Sequence, residues 1–445
     1  MPWHLLTING SVARCDLPLG NGRHRSACAS TLLALALSVS AGCSDSATSP
    51  SSADESSSDS EPATEDKPTN PSPSAGGPQM GSPVRIPIDA GKGSGSRSAT
   101  LADGGASGPA RANGLDAALF DGDAGAPAQP DAATGSSSGS AVCTPNAFVS
   151  NSYSDTVSVI DTNTHKVVAT VPTGKAPINP TFTPDRRHVY VANSQADTLT
   201  VIDVETNTTT TIPAGGMSPS GLAFSPNGET LYVSFIGENF TSPGSVGSIE
   251  LSTGKASPPI PMGEDPERIA LTPNGERLYV NNLLDGTMNV VDTASRKVIV
   301  TLMLGDLPFN PLMSPDGSVV YVGVMSANHI AVVDTATNTI SRTIPADSPN
   351  GMTFSNDYQS LFVSNALSGT VQQVSLVSNQ ILKTQDVGGL PGNIAVLPSG
   401  KQAYMVRPDG TTVEVLDTSS LQIVQTITAG DGPTVVTICR PPTVQ

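Results

Sequence analysis

From Phe148 onward the chain repeats one pattern seven times, and this period constrains the fold more than any other feature. Its marker is an aromatic residue followed by Val or Met: Phe148-Val149, Tyr190-Val191, Tyr232-Val233, Tyr279-Val280, Tyr321-Val322, Phe362-Val363 and Tyr404-Met405. The steps are 42, 42, 47, 42, 41 and 42 residues. A turn keeps the same step, at Pro184-Asp185, Pro226-Asn227-Gly228, Pro273-Asn274-Gly275, Pro315-Asp316-Gly317, Asn356-Asp357 and Pro398-Ser399-Gly400. A fixed period near 40 residues, with short alternating apolar runs between turn residues, is the signature of a β-propeller.

Each unit divides into four strands of about five residues. Pro219–Phe224 is an innermost strand, followed by the turn Ser225-Pro226-Asn227-Gly228 and by Thr230–Ser234. The preceding unit supplies the outer pair, Thr198–Ile202 and Thr208–Ile212. Between them lies Asp203-Val-Glu-Thr-Asn207, matched at Asp161, Asp292, Asp334 and Asp417. Asp, Thr and Asn suit such hairpins because their side chains bond nearby backbone groups. The sixth unit departs from the pattern, with Val374-Ser-Leu-Val-Ser-Asn379 at this turn.

The repeat resembles the YVTN-type β-propeller family. Val149-Ser-Asn151, Tyr190-Val-Ala-Asn193, Phe362-Val-Ser-Asn365, Thr156–Thr162 and Ser314-Pro-Asp-Gly317 carry the likeness, which covers everything after residue 142. The resemblance implies an all-β, seven-bladed propeller. It implies no particular activity, because the matching residues build strands and turns.

The repeat is offset from the chain ends by one strand. The first unit lacks an innermost strand, and Thr434–Ile438 supplies it at the other end. The C-terminal strand should therefore join the N-terminal blade, which removes the exposed edges of an open array. Cys439 follows that strand and Cys143 precedes Phe148 by five residues. The expectation is a Cys143–Cys439 disulfide with Cα atoms about 4.4–6.8 Å apart. The alternative is two free thiols that happen to lie near the ends.

Residues 1–142 are of another kind. Arg14, Arg23 and Arg25 precede a short apolar core, Ala27–Ser40, as in an export signal, and the basic stretch is long enough to fit a start after Met1. Ser40-Ala41-Gly42-Cys43 resembles a bacterial lipoprotein cleavage box, with Ser40 where Leu is usual. The resemblance implies cleavage after residue 42 and a lipid on Cys43. Ordinary signal cleavage near Ala41, with Cys43 a spectator, is the alternative. Residues 43–142 read as a tether. From residue 44 on they hold 13 Asp or Glu, five Lys or Arg and almost no large apolar residue, so they cannot bury a core. As a coil the tether would span on the order of 50–60 Å. Asp121-Gly122-Asp123 suggests part of a calcium loop, but no bidentate Glu follows at the required spacing.

The formal charge of −17 argues against binding nucleic acid phosphates. His165, His188 and His329 are the only histidines after the signal, and they fall on different turns, so no metal site is expected. No Gly-x-Ser-x-Gly elbow or Walker loop occurs in the repeat region, and no cofactor is expected.

Two places stand out as candidate sites. One is the third unit's insertion, Phe235–Ser245, whose Phe235, Ile236, Asn239 and Phe240 form a loop for a partner if exposed, or a self-packed cover if not. The other is the channel mouth, two residues past each strand-opening Pro, where Asn179, Arg268, Asn310 and Asn393 could bind a polar ligand or a row of waters. The best candidate for acid–base chemistry there is Arg268 with Glu267 and Glu264. The expected protein is a monomeric, non-catalytic propeller on the bacterial envelope, held to the outer membrane or cell surface only by its lipid. It would bind a protein or small ligand. The alternatives are a lactonase-like or dehydrogenase-like enzyme and a structural surface-layer component. The dehydrogenase form would need a tryptophan-rich cofactor floor, and the only Trp is Trp3.

Overall fold

The computed structural model describes residues 144–237 and 242–439, together with a two-residue antiparallel pair, Thr7–Ile8 with Ser11–Val12. Cys43, the tether, Cys143, Asn239 and Phe240 lie outside the described residues.

Among the described residues the repeat is a seven-bladed β-propeller with no helix. Six blades are four-stranded antiparallel sheets. In the third, the outer strand is split into Lys255–Ala256 and Ile260–Glu264, and both pieces pair with Pro243–Glu250. Pro258 and Pro259 sit in the gap; lacking N–H groups, they cannot continue the ladder. The ring closes as the one-strand offset requires. Pro433–Ile438 pairs antiparallel with Asn146–Asn151, with Val436 opposite Val149.

The aromatic–aliphatic marker has a geometric cause. Successive strand residues face opposite sides of a sheet, and each blade has a neighbour on both sides. The aromatic residue faces the following blade and the aliphatic one the preceding blade. Phe148 packs with Val189, Val191 and Ile202 of blade two, while Val149 packs with Val406, Val413 and Val415 of blade seven. Tyr279 and Val280, and likewise Tyr321 and Val322, divide in the same way. Edge-to-face ring pairs cross the gaps at Phe148–Phe182, Tyr190–Phe224 and Tyr321–Phe354, with centroids 5.6, 5.1 and 5.8 Å apart.

The signature Asn acts as a latch. Asn151 Nδ2 donates to Thr156 Oγ1 at 3.0 Å and to Ser158 Oγ at 2.9 Å, which fixes the turn between the second and third strands. Asn193 repeats this with Thr198 and Thr200, and Asn282 with Thr287 and Asn289. The Oδ1 atoms of Asn193 and Asn282 also accept from Gly174 N and Gly263 N, each at 3.2 Å, which ties down the incoming connection.

The connections divide between two faces. The entry face holds Thr144, the turns after each innermost strand and the Asp-led hairpins. Their carboxylates accept backbone and hydroxyl hydrogens, as at Asp203 and Asp417, and this holds both carboxyls below the usual range, Asp417 at about 2. The distal face holds the other connections, including the third unit's insertion.

Candidate functional site on the distal face

Each blade begins with a residue in left-handed backbone or its equivalent, then a Pro, a next residue and a channel residue. The residues before Pro are Ala176, Ser218, Asp265, Leu307, Ser348, Leu390 and Gly432. Those after it are Ile178, Ser220, Glu267, Phe309, Asn350, Gly392 and Thr434. The channel residues are Asn179, Gly221, Arg268, Asn310, Gly351, Asn393 and Val435. Across these three positions only blade four carries ionisable side chains, and it carries three.

Asp265 is the unusual member. Its side chain is fully buried, and neither carboxylate oxygen has a hydrogen-bond partner. Burial raises its pKa well above the usual carboxylate range, and the neighbouring charge of Glu267 raises it further. Glu267 is itself only 3 % exposed. Its backbone carbonyl accepts from Ser220 Oγ at 2.8 Å and Ser234 Oγ at 3.2 Å of blade three. Arg268 turns toward the channel and donates from Nη1 to Asn310 Oδ1 at 3.3 Å. Glu264 is half-buried, and its backbone N donates to Asp285 Oδ2 at 2.8 Å. In other blades the corresponding bond falls one residue later, on the residue directly before Pro: Asp197 and Asn328 accept from Ser218 N and Ser348 N.

The channel residues knit the ring. Asn179 Nδ2 donates to Ser220 O at 3.1 Å, Asn310 Nδ2 to Met352 O at 3.2 Å, and Asn393 Oδ1 accepts from Val436 N at 3.2 Å. Asn179, Arg268 and Asn310 border one cavity of about 170 Å³ in the channel, and Asn393 does not line it.

The insertion is anchored beside Asp265. Pro243 pairs with Glu264, and a Cβ on Gly244 would lie 2.4 Å from the Pro266 ring. At its base, Phe235 and Ile236 are 4 % and 6 % exposed. Of the two alternatives the sequence left open for these side chains, exposed partner loop or self-packed cover, burial selects the second: both are interior. Phe235 occupies the latch position and joins the core between blades two and three with Leu199, Leu231 and Ile249. Gly247 stands where blade one has Ser158, and a Cβ there would lie 2.9 Å from the ring. A Phe–Gly pair thus replaces Asn–Ser by exchanging volume between neighbours. Blade seven makes a different exchange, with Arg407 and Glu414 at these positions and Nε 3.8 Å from Oε1. Arg407 also donates to the carbonyls of Val387 and Gly388.

Among the described residues the distal turns are the more apolar. Of the large hydrophobic side chains exposed in turns, Tyr153, Met217, Leu284 and Leu367 lie distally, and Val377 lies on the entry face. The entry face has a cavity of about 630 Å³ at the closing seam, lined by Thr144, His165, Lys401, Asp417 and Cys439 among others. His165 Nδ1 there shares a 2.7 Å hydrogen bond with the buried Tyr404 hydroxyl, which joins blades one and seven. His188 starts a blade-two strand and His329 Nδ1 lies 3.2 Å from Ala327 O, so the three histidines are dispersed. Cys439 is buried and is not a free thiol.

Sequence reasoning selected Glu267 and Arg268 but passed over Asp265, which reads as one more turn aspartate. The signal was present in the alignment of the seven junctions.

A family model for YNCE-like β-propellers matches residues 122–442, and the chain belongs to that family. No curated protein matches it. Among solved structures, it is similar to hydrazine synthase of Kuenenia stuttgartiensis, with 20 % identity over 62 % of this chain and 93 % of that one, TM-score 0.55. A functionally unknown protein from Desulfotomaculum acetoxidans gives 18 % identity over 66 % and 99 %, TM-score 0.57. The periplasmic gluconolactonase PpgL of Pseudomonas aeruginosa gives 18 % over 67 % and 99 %, TM-score 0.56. At these identities the likeness is one of fold.

Proposed function

We propose that this YNCE-like propeller is an exported, lipid-anchored scaffold that binds a protein or small ligand through its distal face. Cys43 carries the lipid, residues 43–142 form the tether, and a Cys143–Cys439 disulfide locks the closing strand. The observation that supports binding at the distal face is the coincidence of repeat-breaking features there. The insertion, the ionisable junction of blade four and most exposed apolar turn residues share that face. Exposed loop residues that break a repeat are not fixed by packing between blades, so they are free to serve recognition.

The test is affinity capture from envelope extract with wild-type protein beside a variant lacking residues 238–242. Recovery of a specific partner by wild type alone supports the reading. Equal recovery by both proteins removes the insertion from it. Lipidation is checked by mass spectrometry of the mature N-terminus, where an unmodified terminus at or before Cys43 would refute the anchor.

A second reading is a lactonase-like enzyme. It is favoured by one observation, the buried Asp265 carboxyl beside Glu267 and Arg268. Hydrolysis of sugar lactones by wild type, abolished in Asp265→Asn, would move the protein to that class.

A further inference from the structure

The distal ends of blades four, five and six depart from the rest of the ring in two ways that occur together. The first is apolar. The residue after the latch position is Ser152 in blade one and Ser194 in blade two, each bonding a backbone carbonyl. In blades four to six it is Leu283, Met325 and Ala366, and these pack with Phe309 into one buried cluster. Directly after two of them come Leu284 and Leu367, which are 39 % and 40 % exposed.

The second departure is one of charge. Two places before the strand-opening Pro stand Glu264, Asp306 and Asp347 in these three blades, against Lys175, Met217, Gly389 and Asp431 in the others. Asp306 and Asp347 are exposed, and Asp285 and Asp386 add two more exposed carboxylates at the distal ends of the same blades. Backbone hydrogen bonds interleave the two features. Leu284 N donates to Glu264 O at 3.4 Å, and Met325 N to the carbonyl of Leu307, next to Asp306, at 3.1 Å. Leu367 N donates to Oγ of Ser348, next to Asp347, at 3.2 Å. Among the described residues the distal connections of these blades hold no Lys or Arg. Arg268 and Arg407, in adjoining strands, turn inward, to Asn310 in the channel and to the carbonyls of Val387 and Gly388. By contrast, Arg186, Arg187, Arg296 and Lys401 sit in entry-face turns.

We propose that the distal ends of blades four to six are a docking surface for a cationic polypeptide segment, one in which Lys or Arg side chains flank an apolar one. This deepens the reading of the distal face as the binding face and rests on it. Charge complementarity selects the occupant. Exposed carboxylates without cations among them attract a basic segment and repel nucleic acid and anionic lipid. The two leucines select a polypeptide over a small polyamine. They give the surface an apolar centre inside a charged rim, which is the anatomy of a protein interface. Lys and Arg can lay their methylene stems along such leucines and keep the charged head at the carboxylates.

The experiment measures fluorescence anisotropy of the mature protein with three labelled short peptides, in which two Leu are set among Lys, among Gln or among Glu. In about 50 mM salt the Lys peptide should bind wild type roughly tenfold or more tighter than the Gln peptide, and the advantage should shrink in about 500 mM salt. Asp306→Asn with Asp347→Asn should weaken Lys-peptide binding about fivefold or more, and so should Leu284→Asn with Leu367→Asn. Glu205→Gln with Glu229→Gln removes equal charge from the entry face and should change binding less than about twofold. Asp306→Lys with Asp347→Lys should move the preference to the Glu peptide, a result that damage to the fold cannot imitate. Lack of preference for the Lys peptide in wild type, or an equal loss in the entry-face variant, overturns the proposal. Spermidine competing as well as the Lys peptide, with no effect of the leucine substitutions, overturns the polypeptide class. Capture from envelope extract is scored separately. A partner captured equally by wild type and by the Asp306→Asn, Asp347→Asn protein overturns this surface and leaves the binding-scaffold reading standing. Selective peptide binding without any captured partner supports the surface and counts against that reading.

Discussion

Phe235→Asn restores at one position the residue that blades one, two, four and six carry, yet it should destabilise the protein. The ring is 4 % exposed and lies in a core that includes Ile178, Leu199, Leu231, Val233 and Ile249. Removing it leaves a cavity, and Phe→Ala in such a setting costs about 3–5 kcal/mol. Asn should cost at least as much. Its amide would find Ser245, opposite it in the ladder, but Gly247 offers no side-chain oxygen where Ser158 serves Asn151. For a domain of this size the loss corresponds to roughly 6–10 °C in melting temperature. Gly247→Ser alone should also destabilise, because its new Cβ would meet the ring at 2.9 Å. The double variant should recover stability by relieving that clash and supplying the latch oxygen. Urea denaturation of the four proteins closes a double-mutant cycle with an expected favourable coupling of about 1–3 kcal/mol. If Phe235→Asn lies within about 0.5 kcal/mol of wild type, or the coupling is absent, the assignment of Phe235 to the latch position is wrong.

Three further outcomes are expected. Asp265 has a folded pKa raised above its unfolded value, so its burial costs nothing while both states are protonated. The penalty then grows as pH climbs above the usual carboxylate range toward the folded pKa. Asp265→Asn should therefore gain stability relative to wild type as denaturation is repeated from pH 4 to pH 8, and a constant gap would contradict this. The turn carboxylates behave oppositely. Asp161, Asp203 and Asp417 have lowered folded pKa values, Asp417 to about 2, so their stabilisation is present above the unfolded value and lost as pH falls through the folded one. Asp417→Asn should flatten that acid limb slightly without changing stability trends above pH 6. Finally, Cys439→Ser should lower the thermal midpoint, since a cross-link spanning nearly 300 residues is worth up to about 5 kcal/mol in the chain-entropy picture. Two free thiols in the exported wild-type protein by non-reducing mass spectrometry would remove that bond.

The period and its offset were legible because they depend on local chemistry. Turn residues and strand alternation recur every 40 or so positions, and a missing first strand with a spare last one dictates closure of the ring. The Asn latch was visible as a motif, though its partners five and seven residues on became clear only in the folded turn. The burial of Phe235 was left open by the sequence for a definite reason. The aromatic-to-latch spacing is constant, but an aromatic ring at the latch suggests a loop unless Gly247, twelve residues on, and Gly216 in the connection from blade two are seen to make room for it.

The sequence by itself thus determined the number of blades and the identity of the closing strand. These follow from strand order and turn chemistry within single units. Tertiary structure alone decided which departures from the repeat are interior and which are exposed. Burial is set by neighbouring blades some 40 residues away, so Phe235 became core, while Asp265, outwardly another turn aspartate, became an enclosed carboxyl without a partner.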